Sequence, residues 1–209
     1  MALELVTTDG IFALDGGEWE VTNNIWLLGD DREVLVFDAA HDHAPIADAV
    51  GGRRVRAIVL THGHNDHINA AVALRDAVDA PILLHPADRM LWDAVYDGES
   101  PDGDLADGTT LSAGGHTVAV VHTPGHSPGC CCFHDVADGM VMSGDTLFCG
   151  GPGATGRSFS DEPTILRSIR DHLLTMPDET VVHTGHGDDT TIGGEREPVL
   201  ARIAELGLD

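Results

Sequence analysis

Leu60-Thr61-His62-Gly63-His64-Asn65-Asp66-His67 is the stretch that decides how this chain is read. It closes an apolar run, residues 55–60, that reads as a buried strand. His62 and His64 are two apart, so an extended backbone points both the same way. Asp66 and His67 then fall in the turn entering the next helix. Four metal-type donors lie within six residues, amid Gly, Asn and Asp at a strand end. That is a ligand pattern; a core histidine would sit singly on an apolar face.

Working outward, three more polar residues each follow an apolar run. His126 lies in Thr123-Pro124-Gly125-His126-Ser127-Pro128-Gly129, Asp145 in Ser143-Gly144-Asp145-Thr146, and His186 in Thr184-Gly185-His186-Gly187. Glycine permits close backbone approach at such turns. Each is ordinary alone; with the first cluster they make five histidines and two aspartates, a donor set for two metal ions. Imidazole and carboxylate suit zinc, iron or manganese. No thiolate is among them, unlike a closed structural zinc site. One carboxylate shared between two cations leaves a position for a water that ionises near neutral pH.

The rest of the chain alternates strand-like and helix-like segments. Residues 25–28 and 34–37 read as a hairpin around 29–32. A helix over 44–50 ends at Gly51-Gly52. Helices follow at 68–78 and 86–95, with a strand at 82–84 and a loop over 96–108. Strands are expected at 117–122, 130–134, 139–143 and 179–183, the middle two joined around 135–138. Residues 150–160 form a Gly-rich loop. Asp161 is a candidate N-cap for a helix over 162–174, and Pro198 is placed in the first turn of a last helix, 196–206. Strands mixed with helices in two successive halves imply sheets covered by helices.

The chain has 209 residues, 42% hydrophobic and 22% charged, which fits one folded domain over 1–209 and excludes a largely disordered chain. No apolar run is long enough for a membrane span, and the N-terminus has no signal-peptide pattern. Thirty-five acidic residues face eleven basic ones, all arginine, for a net charge of −24. Such a field repels nucleic acid and anionic membranes. Cys130, Cys131 and Cys132 are adjacent and make a poor disulfide framework; reduced thiols packed in a core strand, in a cytoplasmic protein, are expected. Cys149 is a candidate pocket residue, and His85 reads as an exposed turn residue. Monomer and homo-oligomer are both open.

His62-x-His64-x-Asp66-His67, followed by His126, Asp145 and His186 at intervals of 59, 19 and 41 residues, resembles the metallo-β-lactamase superfamily. Gly144-Asp145-Thr146-Leu147-Phe148 and the Gly-rich stretch to Arg157 are similar to its glyoxalase II branch. The resemblance implies a four-layer αβ/βα sandwich of two packed mixed sheets flanked by helices. It places His62, His64 and His126 on one metal and Asp66, His67 and His186 on a second, with Asp145 bridging. Asp38 matches an early acidic position that orients the metal loop without ligating. Two divalent ions are implied, zinc first, with iron or manganese allowed by the same donors. Glyoxalase II enzymes carry a C-terminal helical glutathione-binding domain, and no counterpart is expected here.

The reaction expected on this basis is hydrolysis of a thioester of a small thiol, with Asp66 and Asp145 in catalytic roles. A neutral sugar thiol suits so acidic a protein better than anionic glutathione. An acyl-mycothiol is therefore expected, specifically S-formylmycothiol in formaldehyde detoxification, with Arg157 as a substrate contact. A persulfide dioxygenase with one iron on His62, His126 and Asp145 is the nearest rival. A nuclease is opposed by length and charge. A non-catalytic metal-binding or regulatory protein is the alternative of another class.

Overall fold

A computed structural model describes residues 3–208. β1 (Leu3–Leu14) and β2 (Gly17–Gly29) form a long antiparallel hairpin, paired from Leu3 with Leu28 to Leu14 with Gly17. The Asp15-Gly16 turn is left-handed at both residues, φ 54° and 77°, the pairing that a two-residue hairpin favours. β3 (Glu33–Phe37) lies antiparallel to β2. β4 (Arg54–Val59), β5 (Ile82–Leu84) and β6 (Gly103–Asp104) then add in parallel to complete a six-stranded mixed sheet in the order β1-β2-β3-β4-β5-β6.

The helices α1 (His43–Val50), α2 (Asn65–Ile68), α3 (Ala71–Val78) and α4 (Arg89–Val95) connect these strands. The second half supplies β7 (Thr110–Ala113), β8 (His116–His122), β9 (Cys131–Asp135), β10 (Met140–Gly144) and a short ribbon of β11 (Leu147–Phe148) and β12 (Gly151–Pro152). α5 (Glu162–Ser168), β13 (Val181–Thr184), β14 (Thr190–Thr191) and α6 (Ile192–Leu206) follow. The second sheet is ordered β14-β13-β10-β9-β8-β7, with β10 and β13 parallel and its other pairs antiparallel.

Alternation along the strands builds three apolar layers. On β3, Leu35 and Phe37 face the second sheet, where they join Val118, Val120, Cys131 and Phe133. Val34 and Val36 face the opposite way, with Ile46, Leu74 and Trp92 from α1, α3 and α4. On the second sheet, Cys132 and Val141 turn outward to Ile165, Leu166, Val199 and Ile203 of α5 and α6. Strands covered on both faces lose the polar alternation of a half-exposed sheet, which explains their nearly continuous hydrophobicity. Helices, sheet, sheet, helices is the expected four-layer sandwich.

Several local expectations are corrected. The first sheet begins not at residue 25 but with β1 and the first part of β2, which the apolar runs do not mark. The helix expected over 68–78 is two pieces, α2 and α3, with Asn69 and Ala70 between. The segment 86–95 begins as a 3-10 turn, Pro86–Asp88, before α4. α5 has its Asp161 cap, whose carboxylate accepts from Thr164 N–H at 2.9 Å, but continues as a π-helical turn, Ile169–Leu173. α6 begins four residues earlier than expected, capped by Thr191. Pro198 therefore sits inside the helix, and Gly193-Gly194, poor helix formers, are helical. Their positions are fixed against β14 and Asp178, where Gly193 N–H donates to the Asp178 carbonyl at 2.9 Å. Among the described residues, no helix is long and apolar enough to cross a membrane.

Candidate metal centre

The seven donors reach one rim because strand ends do. The chain leaves β4 at Thr61, turns through His62 to His64, and starts α2 with Asp66 and His67. His126 lies between β8 and β9, Asp145 directly after β10, and His186 two residues after β13. Cys131 N–H donates to the Thr61 carbonyl at 2.8 Å and Gly185 N–H to the Gly144 carbonyl at 3.0 Å, locking these loops together. At Gly185 a Cβ would run into Asp145 Oδ1 and His67 Cε1, so only glycine admits the carboxylate there.

The side chains converge as two adjoining groups. His64 Nδ1 lies 2.9 Å from both His62 Nε2 and His126 Nε2. On the other side, His67 Nε2 is 3.1 Å from His186 Nε2. Asp66 Oδ2 is 3.5 Å from His67 Nε2 and 3.4 Å from His186 Nε2. Asp145 lies between: Oδ1 is 3.3 Å from His67 Nε2, and Oδ2 is 3.5 Å from His126 Nε2 and 3.6 Å from His186 Nε2. Three sets of donors lie close enough to share an ion: His62, His64 and His126; His62, His67 and Asp145; and Asp66, His67 and His186.

The outer edge of four rings fixes which nitrogen is bare. Thr61 Oγ1 gives its proton to Asp38 Oδ2 at 2.9 Å, so at 3.1 Å it accepts from His62 Nδ1–H. His67 Nδ1–H donates to Asp38 Oδ2 at 2.8 Å, His126 Nδ1–H to the Ala154 carbonyl at 2.9 Å, and His186 Nδ1–H to the Thr22 carbonyl at 2.7 Å. Each Nε2 is thereby left with its lone pair aimed inward, the orientation that supporting acceptors impose on metal-binding histidines. Asp66 Oδ1 and Asp145 Oδ1 are buried with no hydrogen-bond donor, and His64, whose Nδ1 faces the other rings, has its Nε2–H buried with no acceptor. Buried carboxylate oxygens without donors are costly, and inward lone pairs only 2.9–3.1 Å apart repel. Divalent cations answer both defects, so the donor set fits two of them.

The electrostatics agree. Burial drives His64 down to about 3 and His62 well below its ordinary value, so both stay neutral. Burial opposes ionisation of Asp145, but His67, His186 and His126 override it and hold the carboxyl well below the usual carboxylate range. Burial also opposes protonation of His67, yet Asp145, Asp66 and Asp38 hold its pKa well above the ordinary value. The His67 lone pair is therefore a place where positive charge is strongly favoured.

Asp38 belongs to none of the three donor sets. Its Oδ1 accepts Thr61 N–H at 2.7 Å while Oδ2 holds Thr61 and His67. Its own φ is 65°, a strained conformation for aspartate, retained where it carries the start of the donor loop. Arg157 stacks on the ring of Trp19 at 4.1 Å and lies 5.3 Å from that of Phe12. It lines a cleft with Phe12, Leu14, His64, His126, Ala154 and Ser158. Cys149 is exposed in the β11–β12 turn and is not part of that lining. Cys130, Cys131 and Cys132 are buried free thiols, and burial raises all three, Cys132 to about 11, which suits packing rather than redox chemistry. His85 stacks on His122 with ring centroids 4.1 Å apart and belongs to none of the donor sets.

Two supporting residues escaped the sequence reading. Asp88 is fully buried and joins the two halves of the first donor group. Its Oδ2 accepts Gly63 N–H at 2.8 Å and Ser127 Oγ–H at 2.6 Å, and its Oδ1 accepts Gly129 N–H at 2.6 Å. A Cβ at Gly63 would meet Asp88 Cβ at 3.0 Å, which accounts for glycine between His62 and His64. Asn23 Nδ2–H donates to Asp66 Oδ2 at 3.3 Å, while His41 Nε2 contacts Asn23 Oδ1 at 2.8 Å. Nothing local marks either residue, because each acts on a partner far along the chain.

Comparison with known proteins agrees with this fold. The sequence profile of the metallo-beta-lactamase superfamily matches residues 19–186. A hydroxyacylglutathione hydrolase of Rhizobium johnstonii is 34% identical over 197 residues, 88% of this chain and 73% of that protein. The crystal structure of the BLEG-1 B3 metallo-beta-lactamase superimposes with a TM-score of 0.78 at 30% identity, covering 91% of this chain and 97% of that one. TTHA1623, solved in a di-iron-bound form, gives a TM-score of 0.76 at 32% identity, covering 84% and 93%. From its donor motif, its four-layer fold and these likenesses together, the chain belongs to the metallo-β-lactamase superfamily.

Proposed function

We propose that this protein is a metal-dependent hydrolase that cleaves a thioester of a small thiol. The observation that carries the reading is that no side chain of the metal-loaded centre stands ready to give up a proton: His64 keeps an uncommitted Nε2–H, but burial holds that ring neutral, and a neutral imidazole N–H is a poor acid. The Nδ1–H groups of His62, His67, His126 and His186 are all committed to outward acceptors, and Asp145 is held ionised. An amide nitrogen needs such a donor to leave. A thiolate, with a conjugate-acid pKa of about 8.5, does not.

Two divalent cations bound here would supply Lewis acidity and ionise a water near neutral pH. Asp145, facing both donor groups, sets the position shared between them. Asp66 Oδ1, buried and free of donors, is placed to accept the proton of an attacking water. The aromatic edge of the β1–β2 hairpin and the loop after β12 shelter the cleft, and Arg157 between them contacts the substrate. The relative named as a hydroxyacylglutathione hydrolase supports thioester chemistry. The net charge of −24 favours a neutral thiol carrier, and we assign an acyl-mycothiol, S-formylmycothiol in particular. Free buried cysteines suit a reducing, cytoplasmic setting, and the strong negative charge disfavours nucleic acid and anionic membranes as partners.

The test is elemental analysis of the purified protein beside a thioester panel. Two ions per chain and turnover of acyl-mycothiol above acyl-glutathione are expected. Equal or faster turnover of the glutathione ester removes the mycothiol assignment. One iron per chain with oxygen consumption on a thiol persulfide replaces hydrolysis by the dioxygenase. Metal-loaded protein inert to every ester leaves a non-catalytic metal-binding role.

A further inference from the structure

A second donor cluster lies at the other end of the second sheet. β9 runs from Cys131, beside the centre, to Asp135, and β10 returns from Met140 to Gly144. The β9–β10 turn is therefore a strand's length from the centre, about 13 Å at some 3.3 Å per residue. Beside it, β8 starts at His116. His116 Nδ1 is 2.6 Å from Asp138 Oδ2 and 3.7 Å from Asp135 Oδ2, and one donor atom from each of the three lies close enough to share an ion.

Asp135 is the informative member. Its residue is fully buried. Oδ1 has ordinary work, accepting Ala137 N–H at 3.0 Å and Asp138 N–H at 3.2 Å to shape the turn. Oδ2 is buried with no hydrogen-bond partner and faces His116 and Asp138. A His116–Asp138 ion pair satisfies those two residues but leaves this oxygen 3.7 Å from the nearest ring nitrogen, too far for a hydrogen bond. The two distances bracket the edge of a tetrahedron with bonds of about 2.1 Å, roughly 3.4 Å.

We infer that His116, Asp135 and Asp138 form a separate site for one divalent transition-metal ion of the zinc, nickel or copper type. An imidazole donor and only three protein ligands favour such an ion over calcium or magnesium, which take oxygen ligands and, for calcium, six or more. The ion would tie the β7–β8 turn to the β9–β10 turn, stabilising the folded state by mass action. Nothing in this inference depends on the thioesterase reading.

The test is zinc titration of the purified, metal-loaded protein by calorimetry, with metal content measured in parallel. Wild type is compared with His116→Gln and Asp138→Asn, both of which spare the buried turn residue Asp135, and with Asp145→Asn. We expect one zinc-binding event in wild type beyond the ions of the centre. It should be weakened more than about tenfold in both distal variants, a loss that removing a mere supporting partner already causes. It should persist in Asp145→Asn, and thioester turnover should be unchanged in the distal variants. Equal zinc stoichiometry and affinity in wild type and both distal variants overturns the inference, as does loss of the event in Asp145→Asn alone.

Discussion

Asp88 is the residue whose replacement tests the architecture of the centre most directly. It touches none of the donor atoms, yet it holds Gly63 between His62 and His64, and Ser127 and Gly129 beside His126. Each hydrogen bond to a charged acceptor contributes about 1.5–3 kcal/mol. Burial works against this sum by raising the Asp88 carboxyl above its ordinary value, although the three donors pull it back. Removing the carboxylate relieves that burial while stranding three buried donors. The net cost of Asp88→Ala should be about 3–5 kcal/mol. Asp88→Asn keeps the shape and one acceptor but turns an NH2 group on at least one donor, at about 2 kcal/mol. Denaturant unfolding of the metal-free protein measures this term apart from metal binding. Equilibrium dialysis of the Asn variant should then show a selective loss of about 10–100-fold in affinity for one of two ions, because the Asp66, His67 and His186 group makes no contact with Asp88. Unfolding within about 0.5 kcal/mol of wild type for Asp88→Ala, with both ions retained at full affinity, would refute the reasoning.

Asp145→Asn should lose the shared position and nearly all turnover. Wild-type metal content and rate in that variant would defeat the two-ion assignment. Cys131→Ser puts a hydroxyl between the two sheets and should lower stability by about 1–3 kcal/mol, read by thermal melting, with kcat unchanged; a fall in kcat at constant melting temperature would contradict a packing role. Arg157→Ala should raise KM with metal content intact, and an unchanged KM would remove Arg157 from the substrate site. Asp15 accepts Ser158 N–H at 2.9 Å and is held below its ordinary 3.8 chiefly by hydrogen bonding to Ser158. A lowered folded-state pKa stabilises above 3.8, and that contribution is lost as pH falls through the lowered value. Trp19 fluorescence should thus report an acid loosening of the hairpin tip that is missing in Asp15→Asn; identical acid profiles would exclude this latch.

Part of the centre was written in short stretches of chain. Residues 62–67 carry four donors within reach of one another by local geometry alone, and Gly-rich turns flagged His126, Asp145 and His186. The long β1–β2 hairpin was also signalled, by Asp15-Gly16, but β1 and the first part of β2, up to Asn24, lack the continuous apolar run that marked the others. One face of the hairpin meets solvent, and its middle carries Thr, Asp and Gly. The start of α6 was hidden for the opposite reason: two glycines spoke locally for a break, and contacts with β14 and Asp178 outweighed them.

The sequence by itself determined the donor chemistry and the layered fold, because ligand type is set by side-chain identity and strand burial by composition along a few residues. Only the tertiary structure decided which nitrogen of each ring is bare, that Asp88 couples the loops of His64 and His126, that Asp145 faces both donor groups, and that Asp135 leaves a buried oxygen beside His116. Those facts depend on atoms brought within 4 Å of one another across 19 to 62 positions of sequence, a separation at which no spacing rule of helix or strand operates.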